Sequence, residues 1–278
     1  MGSALAEALL SAGFPVAVWN RSPHESEAVR EKGVEVADSL AQAVSTAKIV
    51  ILCVSDHIAT KEILFHDELG KMLSGKIFVQ LSSINPDQSR ETDTWAKGFA
   101  IGYLEGSILG YPTDIKENTA IVVYAGPRSV FEENEAVFSA LGGNPKFVGE
   151  TIGTAVTFDK IVYACGYGLT QVFMQGAALA HAKGVPIETY TETVMARFPA
   201  YGRNLARISE RIAARDHDDV ECRLDIHAAA FADTLALCQE TGVDSSLPLA
   251  MMHNFERAIE NGHGARELSA LFEVLIPE

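Results

Sequence analysis

Up to about residue 150 the chain alternates short β-branched runs with amphipathic stretches, a pattern that predicts strands laid side by side and covered by helices. Pro15–Trp19 (PVAVW), Lys48–Cys53 (KIVILC), Lys76–Leu81 (KIFVQL), Ala100–Glu105 (AIGYLE), Ala120–Tyr124 (AIVVY) and Lys146–Val148 read as strands. Ser3–Ala12, Ser39–Ala47, Pro86–Lys97 and Arg128–Leu141 read as helices, the last closed by Gly142-Gly143-Asn144-Pro145. After Gly153 the texture changes. From Thr154 to Lys183 there is no proline, and a broad apolar face recurs at helical spacing, which predicts one long helix. Pro186, Pro199 and Pro248 are expected to separate further helical stretches, and nothing beyond Val148 has the alternation of a strand. The expectation is an α/β doubly wound sheet over 1–150, an interdomain helix over 151–183 and an all-helical part over 184–278.

Length and composition agree with two domains: 278 residues, 47% of them hydrophobic, can bury a sizeable core. A formal charge of −15 repels a polyanionic backbone, so no nucleic-acid partner is expected, although a helix N-terminus and one or two placed arginines can still hold a phosphate locally. The longest purely apolar run is about six residues, against roughly 20 for a membrane span, and no signal-peptide pattern opens the chain. Cys53, Cys165, Cys222 and Cys238 form no CxxC pair, which fits a reducing, cytoplasmic location. His57 and His66 are not in ligand spacing with each other or with a cysteine, so no metal site is expected. No GxSxG or Cys/His arrangement suggests nucleophilic hydrolysis.

The first helix opens at once, with Gly2 in its first turn, and the strand after it ends in Asn20-Arg21-Ser22. In a dinucleotide-binding unit a strand feeds a GxGxxG turn, the helix N-terminus meets the pyrophosphate, and the end of the second strand reads the adenosine ribose. Gly2 supplies only the last glycine of such a turn; the first two glycines and the strand before them are not in this sequence. That first strand would lie in the middle of the sheet, so its absence is expected to leave two central edges unpaired and to weaken cofactor binding. Asn-Arg-Ser stands where an acidic residue would mark NAD; a guanidinium and a hydroxyl suit the 2′-phosphate of NADP. A strand ending in a polar turn explains the same tripeptide without a ligand.

An ordered series of motifs then narrows the reading. The opening MGSALAEALLSAGFPVAVWNRSP, Cys53-Val54-Ser55-Asp56, Gln80-Leu81-Ser82-Ser83-Ile84-Asn85-Pro86, Glu105-Gly106-Ser107-Ile108-Leu109-Gly110-Tyr111-Pro112, Gly242-Val243-Asp244-Ser245-Ser246-Leu247-Pro248 and Gly262-His263-Gly264 together resemble the imine reductases of the β-hydroxyacid dehydrogenase superfamily. The resemblance covers nearly the whole chain. It implies a Rossmann-type domain lacking its first strand, a long interdomain helix and a helical domain, with two subunits exchanging helical halves to form a homodimer. It also implies NADPH as cofactor, with Gly2, Asn20, Arg21, Ser22, Cys53, Val54, Ser55 and Ser83 around it.

The same resemblance singles out the long helix. β-Hydroxyacid dehydrogenases carry an acid/base lysine six residues after the glycine that opens this helix; counted from Gly153, that place is Asp159, as in many imine reductases. Lys160 is adjacent, but one residue turns about 100° around a helix, so its side chain is expected elsewhere. An Asp followed eight residues later by Tyr167 resembles the reductive aminases and implies that Tyr167 helps hold the amine. Ser107, Leu109, Tyr163, His227 and Phe231 are the implied substrate pocket. Ser83 stands where reductive aminases carry an asparagine, as in many plain imine reductases, and Glu25 stands where a basic residue often follows the Asn-Arg-Ser motif. Each residue also has an ordinary structural role open to it. A carboxylate in the first turns of a helix is favoured by the dipole, tyrosines pack in cores, and a histidine on an amphipathic helix is commonly packing or surface. His263, between two glycines, reads as turn structure. The expected activity is hydride transfer to a C=N bond of a small imine, with reductive amination as an extension. The alternatives are a β-hydroxyacid dehydrogenase acting on C–OH, against which the missing lysine at 159 argues, and a dimeric binding protein with impaired cofactor binding.

Overall fold

The computed structural model describes residues 1–22 and 28–277. The chain divides into two compact units, Met1–Gly166 and Tyr167–Glu278.

The first unit is the α/β part. Helix α1 (Gly2–Ser11) leads to two short parallel strands, β1 (Ala17–Val18) and β2 (Glu35–Val36), which form a sheet of their own. A second sheet has five strands in sequence order: β3 (Ile49–Leu52), β4 (Ile77–Gln80), β5 (Gly102–Leu109), β6 (Ile121–Ala125) and β7 (Asn144–Gly149). All its neighbours are parallel except β5 and β6. Between these strands lie α2 (Leu40–Ser45), α3 (His57–Leu64), α4 (Asp67–Leu73), α5 (Pro86–Gly98), α6 (Pro112–Lys116), α7 (Arg128–Glu133) and α8 (Glu135–Ala140).

The period-two alternation of β3 and β4 accounts for the layering. Ile49 and Ile51 join Val79, Leu81 and Leu104 under Ala4 and Leu5 of α1, whereas Val50 and Leu52 join Phe78, Tyr103 and Leu73 on the opposite face. Helix α1 covers both sheets, because its Ala6 and Leu10 pack with Val16, Val18 and Val36 of the two-stranded piece. The sheet is therefore split between β1 and β3 beneath a single helix, with one ladder edge of each strand unpaired among the described residues. Unpaired edges at this place in the sheet were expected from the sequence.

Several expectations are corrected. The helix expected over Arg128–Leu141 is two short helices, interrupted at Asn134 (φ −123°), whose side-chain amide donates to the Val130 carbonyl. Such local side-chain bonding competes with the helical ladder. Strand β5 runs on to Leu109, past the expected end at Glu105, because its far half pairs with β6. The pair of residues forming β2, and helices α3, α4 and α6, were not legible as elements.

Helix α9 (Thr154–Ala182) is the predicted long helix, and the boundary between the units falls within it. The second unit continues with α10 (Ile187–Ala214), α11 (Leu224–Thr241), α12 (Ser246–Glu260), a 3₁₀ turn (Leu268–Leu271) and α13 (Phe272–Leu275); its one strand-like feature among the described residues is a single bridge between Arg223 and Glu267. Leu224, Ala228, Phe255, Ala258, Ala270 and Val274 form its core. Pro199 does not separate two helices, as the sequence led one to expect, but lies inside α10. It is exposed there, so water can satisfy the carbonyl that its missing N–H would have bonded. His217 is wholly buried: Nδ1 lies 2.8 Å from Ser269 Oγ and Nε2 lies 2.9 Å from Glu273 Oε1, so the ring ties the end of α10 to the C-terminal turns.

Candidate active site

The implied cofactor residues gather where the parallel strands end. Cys53-Val54-Ser55 follows β3 and Ser83 follows β4. Between them, the Val54 N–H donates to Ser82 Oγ at 2.9 Å, fixing one loop on the other. Ser82 is buried and did not stand out in the sequence, since one serine among several in a loop carries no pattern. A Cβ built on Gly2 would lie 3.8 Å from the Cys53 carbonyl, which brings the start of α1 to the same edge. Asn20, Arg21 and Ser22 are exposed at the end of β1. Glu25 lies outside the described residues.

This donor set fits a phosphate-bearing dinucleotide. The first turn of α1 has no side-chain cap on its backbone N–H groups, which leaves them for an anion. Arg21 carries its guanidinium in solvent, where it pairs, among the described residues, with Glu62 of α3, Nη1 to Oε2 at 2.7 Å. Asp56 caps α3 through the Ala59 N–H at 2.9 Å. That bond, chiefly, and then the Ser55 hydroxyl hold the Asp56 carboxyl below its usual range against an opposing effect of burial, with lesser help from the Ile58 N–H and the Arg21 charge.

The second part of the site is the start of α9. Gly153 has φ +101°, a conformation costly for other residues, and a Cβ there would meet Arg90 Nη1 at 2.7 Å. Its N–H donates to Glu105 Oε2 at 2.9 Å, and the Ala155 N–H donates to Oε1 at 2.8 Å. Ser89 Oγ also donates to Glu105 and lies 3.0 Å from the Tyr103 hydroxyl, whose ionisation burial pushes well up. Glu105 is fully buried, and its carboxylate acts as an N-terminal cap supplied from β5. A lone acid in an apolar strand was the sequence signal that could have revealed it.

One turn beyond Ala155 is Asp159, 6% exposed. Lys160 is largely exposed, and its Nζ folds back to 2.6 Å from Asp159 Oδ2. The backbone of a neighbouring residue does turn away around the helix, but a four-carbon stem is long enough to return. Ser107 and Leu109 are half-buried on the far half of β5. Tyr163 is exposed in this chain and is not core packing, and Tyr167 is also exposed on the same helix. In the second unit His227 is half-buried on α11, and Phe231 packs on Phe255 with ring centroids 5.9 Å apart. His263 lies in a turn after α12, its N–H bonded to the Ala258 carbonyl at 2.9 Å. Open clefts of 550 Å³, around Glu7, Ser11, Lys116 and Ser139, and of 300 Å³, around Arg207, Arg211 and Asp219, contain none of these residues. Among the described residues no three His, Cys, Asp or Glu side chains converge as metal ligands, and no helix is long and apolar enough to cross a membrane.

Phosphate-ready donors at the carboxyl ends of parallel strands, joined to a long helix, define a nicotinamide-dinucleotide oxidoreductase of the 6-phosphogluconate dehydrogenase type. Residues 1–153 match the NAD binding domain of 6-phosphogluconate dehydrogenase, and residues 151–277 match the C-terminal domain of NADPH-dependent reductive aminase-like proteins. The chain belongs to the imine reductase and reductive aminase family. It is 32% identical to the imine reductase of Myxococcus stipitatus, whose structure was solved in complex with NADP+, with a TM-score of 0.90 and coverage of 99% of this chain and 96% of that one. The structure of a reductive aminase from Aspergillus terreus with NADPH and ethyl levulinate is 25% identical, with a TM-score of 0.87 over 99% and 96% of the two chains. An NADPH-dependent reductive aminase of Aspergillus oryzae is 27% identical over 98% of this chain and 93% of its own length.

Proposed function

We propose that this protein is an NADPH-dependent reductase that delivers hydride to the carbon of a C=N bond in a small imine or iminium, with Asp159 at the nitrogen. The observation that carries the reading is a buried carboxylate at position 159, on a helix start that is itself held by Glu105. NADPH, when bound, supplies the hydride. The rest falls to the chain. Arg21, with Asn20 and Ser22, holds the 2′-phosphate. The N-terminus of α1 at Gly2 faces the pyrophosphate, and Cys53, Val54, Ser55 and Ser83 line the cofactor edge.

Asp159 as a carboxylate pairs with the positive charge of an iminium, which hydride alone converts to the amine; in its protonated form it hands that proton to the nitrogen of a neutral imine as the bond to carbon becomes single, so that hydride and proton together convert C=N to CH–NH. Lys160, 2.6 Å away, balances the carboxylate before substrate arrives. Tyr167 orients the amine, Ser107, Leu109 and Tyr163 line the pocket, and His227 and Phe231 close it from the helical domain of a second subunit. What supports a homodimer with exchanged helical halves is the apolar surface of the long helices. Ile161, Leu169 and Met174 on α9 and Met195 and Leu205 on α10 are exposed, and the 28 residues of α10 include none that is buried. The domain division 1–150, 151–183 and 184–278 is part of this proposal. The test compares two reactions of the unmutated protein: reduction of a cyclic imine with NADPH and oxidation of a 3-hydroxyacid with NADP+. Imine turnover in clear excess supports the reading; hydroxyacid oxidation in excess replaces it with a C–OH dehydrogenase.

A further inference from the structure

The arginine assigned to the 2′-phosphate already has an anion on it. Arg21 Nη1 lies 2.7 Å from Glu62 Oε2, both side chains being mostly in solvent. Glu62 lies within α3, and its own backbone carbonyl accepts from His66 Nε2 at 2.8 Å, so the residue is anchored by the helix and not by a loop. Asp56, which opens the same helix, also feels the Arg21 charge. The direct contact of the guanidinium on this helix is to Glu62.

We propose that Glu62 sets the strength of the preference for a phosphorylated dinucleotide, because its carboxylate competes with the 2′-phosphate for Arg21. A phosphate dianion arriving there must displace Glu62 or share the guanidinium with it, and in both cases like charges are brought together. A dinucleotide without the 2′-phosphate meets no such opposition, so Glu62 narrows the gap between NADPH and NADH. An exposed pair is a modest barrier, and its loss is worth a small multiple in affinity and not orders of magnitude. Gln in place of Glu keeps length and helix propensity and removes only the charge.

The inference rests on the reading of Arg21 as the 2′-phosphate contact, and the experiment separates the two. Adenosine 2′,5′-bisphosphate and adenosine 5′-monophosphate are titrated by calorimetry into the full-length protein, Glu62→Gln, Arg21→Ala and the double variant. Glu62→Gln is expected to tighten the bisphosphate about two- to tenfold while leaving the monophosphate unchanged. Arg21→Ala is expected to weaken the bisphosphate, and Glu62→Gln is expected to add nothing in that background. Unchanged bisphosphate binding in Glu62→Gln, with Arg21→Ala still damaging, overturns the role of Glu62 alone. Weaker binding in Glu62→Gln overturns it too, since Glu62 would then be orienting the arginine. Unchanged binding in Arg21→Ala overturns both assignments.

Discussion

Glu105 Oε1 accepts the backbone N–H of Ala155 at 2.8 Å, across 50 positions of sequence, and so a strand of the sheet holds the first turn of the helix that carries Asp159. Removing this carboxylate strands two buried donors, Gly153 and Ala155, each at a cost of about 1–3 kcal/mol. Glu105→Ala is expected to lower the melting temperature, by roughly 2–4 °C per kcal/mol lost, and to lower imine turnover with it. Glu105→Gln keeps one acceptor oxygen and should fall between. Differential scanning calorimetry and steady-state kinetics on both variants check this. Unchanged melting in Glu105→Ala would remove the carboxylate from the account.

Asp159→Ala should reduce turnover at saturating imine by about 10²–10⁴, the usual cost of losing a general acid or base. NADPH binding by the same variant should stay within a few-fold, because the side chain is assigned to the substrate. Stopped-flow reduction and calorimetric titration read the two effects separately. Full-rate reduction by the variant would make Asp159 a structural residue.

Arg21→Ala should erode the preference for NADPH over NADH by about one to two decades, since a charge-assisted contact is worth roughly 1.5–3 kcal/mol. The ratio of kcat/KM for the two cofactors is the measurement. An unchanged ratio would transfer the 2′-phosphate to other residues.

The split sheet makes its own prediction. Joining about ten residues that form an apolar strand and a Gly-x-Gly turn ahead of Met1 would give β1 and β3 a common partner. This longer form should bind NADPH more tightly and melt higher than the 278-residue form. Titration and melting of both, with and without cofactor, decide it. Equal, tight binding by the shorter form would mean that the open edges do not matter to the cofactor.

Acid should loosen the C-terminal turns. The hydrogen bond from His217, chiefly, and then the charge of Arg215 hold the Glu273 carboxyl below its ordinary value, against an opposing effect of burial. Its contribution is complete above the unfolded value of about 4.3 and is lost as pH falls through the lower folded value. The melting difference between the unmutated protein and Glu273→Gln should therefore be largest near neutrality and shrink as pH falls below the carboxylate range. A difference that grew on acidification would reverse the sign of the linkage.

Much of this architecture was legible because burial on a sheet imposes a period. The IVIL of β3 and IFVQ of β4 announce themselves, as does the proline-free run from Thr154. What escaped depends on contacts distant in sequence. Glu105 serves a helix that begins 49 residues later, and Ser82 secures a loop 28 residues earlier. The ion pair of Lys160 with Asp159 was not legible for a different reason: the backbone angle separates the two positions, but a long, flexible side chain can still reach back. The two-residue strand at Glu35 is too short for any alternation to show.

The central claim is that hydride goes to the carbon of a C=N bond. It is tested by supplying NADPH deuterated at the transferring position together with a cyclic imine, and locating the label in the product by mass spectrometry and NMR. The account predicts a cyclic amine with one deuterium on the carbon bonded to nitrogen, formed by the unmutated protein and nearly lost in Asp159→Ala. No labelled amine from the unmutated protein, with NADP+-dependent oxidation of a 3-hydroxyacid in its place, would contradict it.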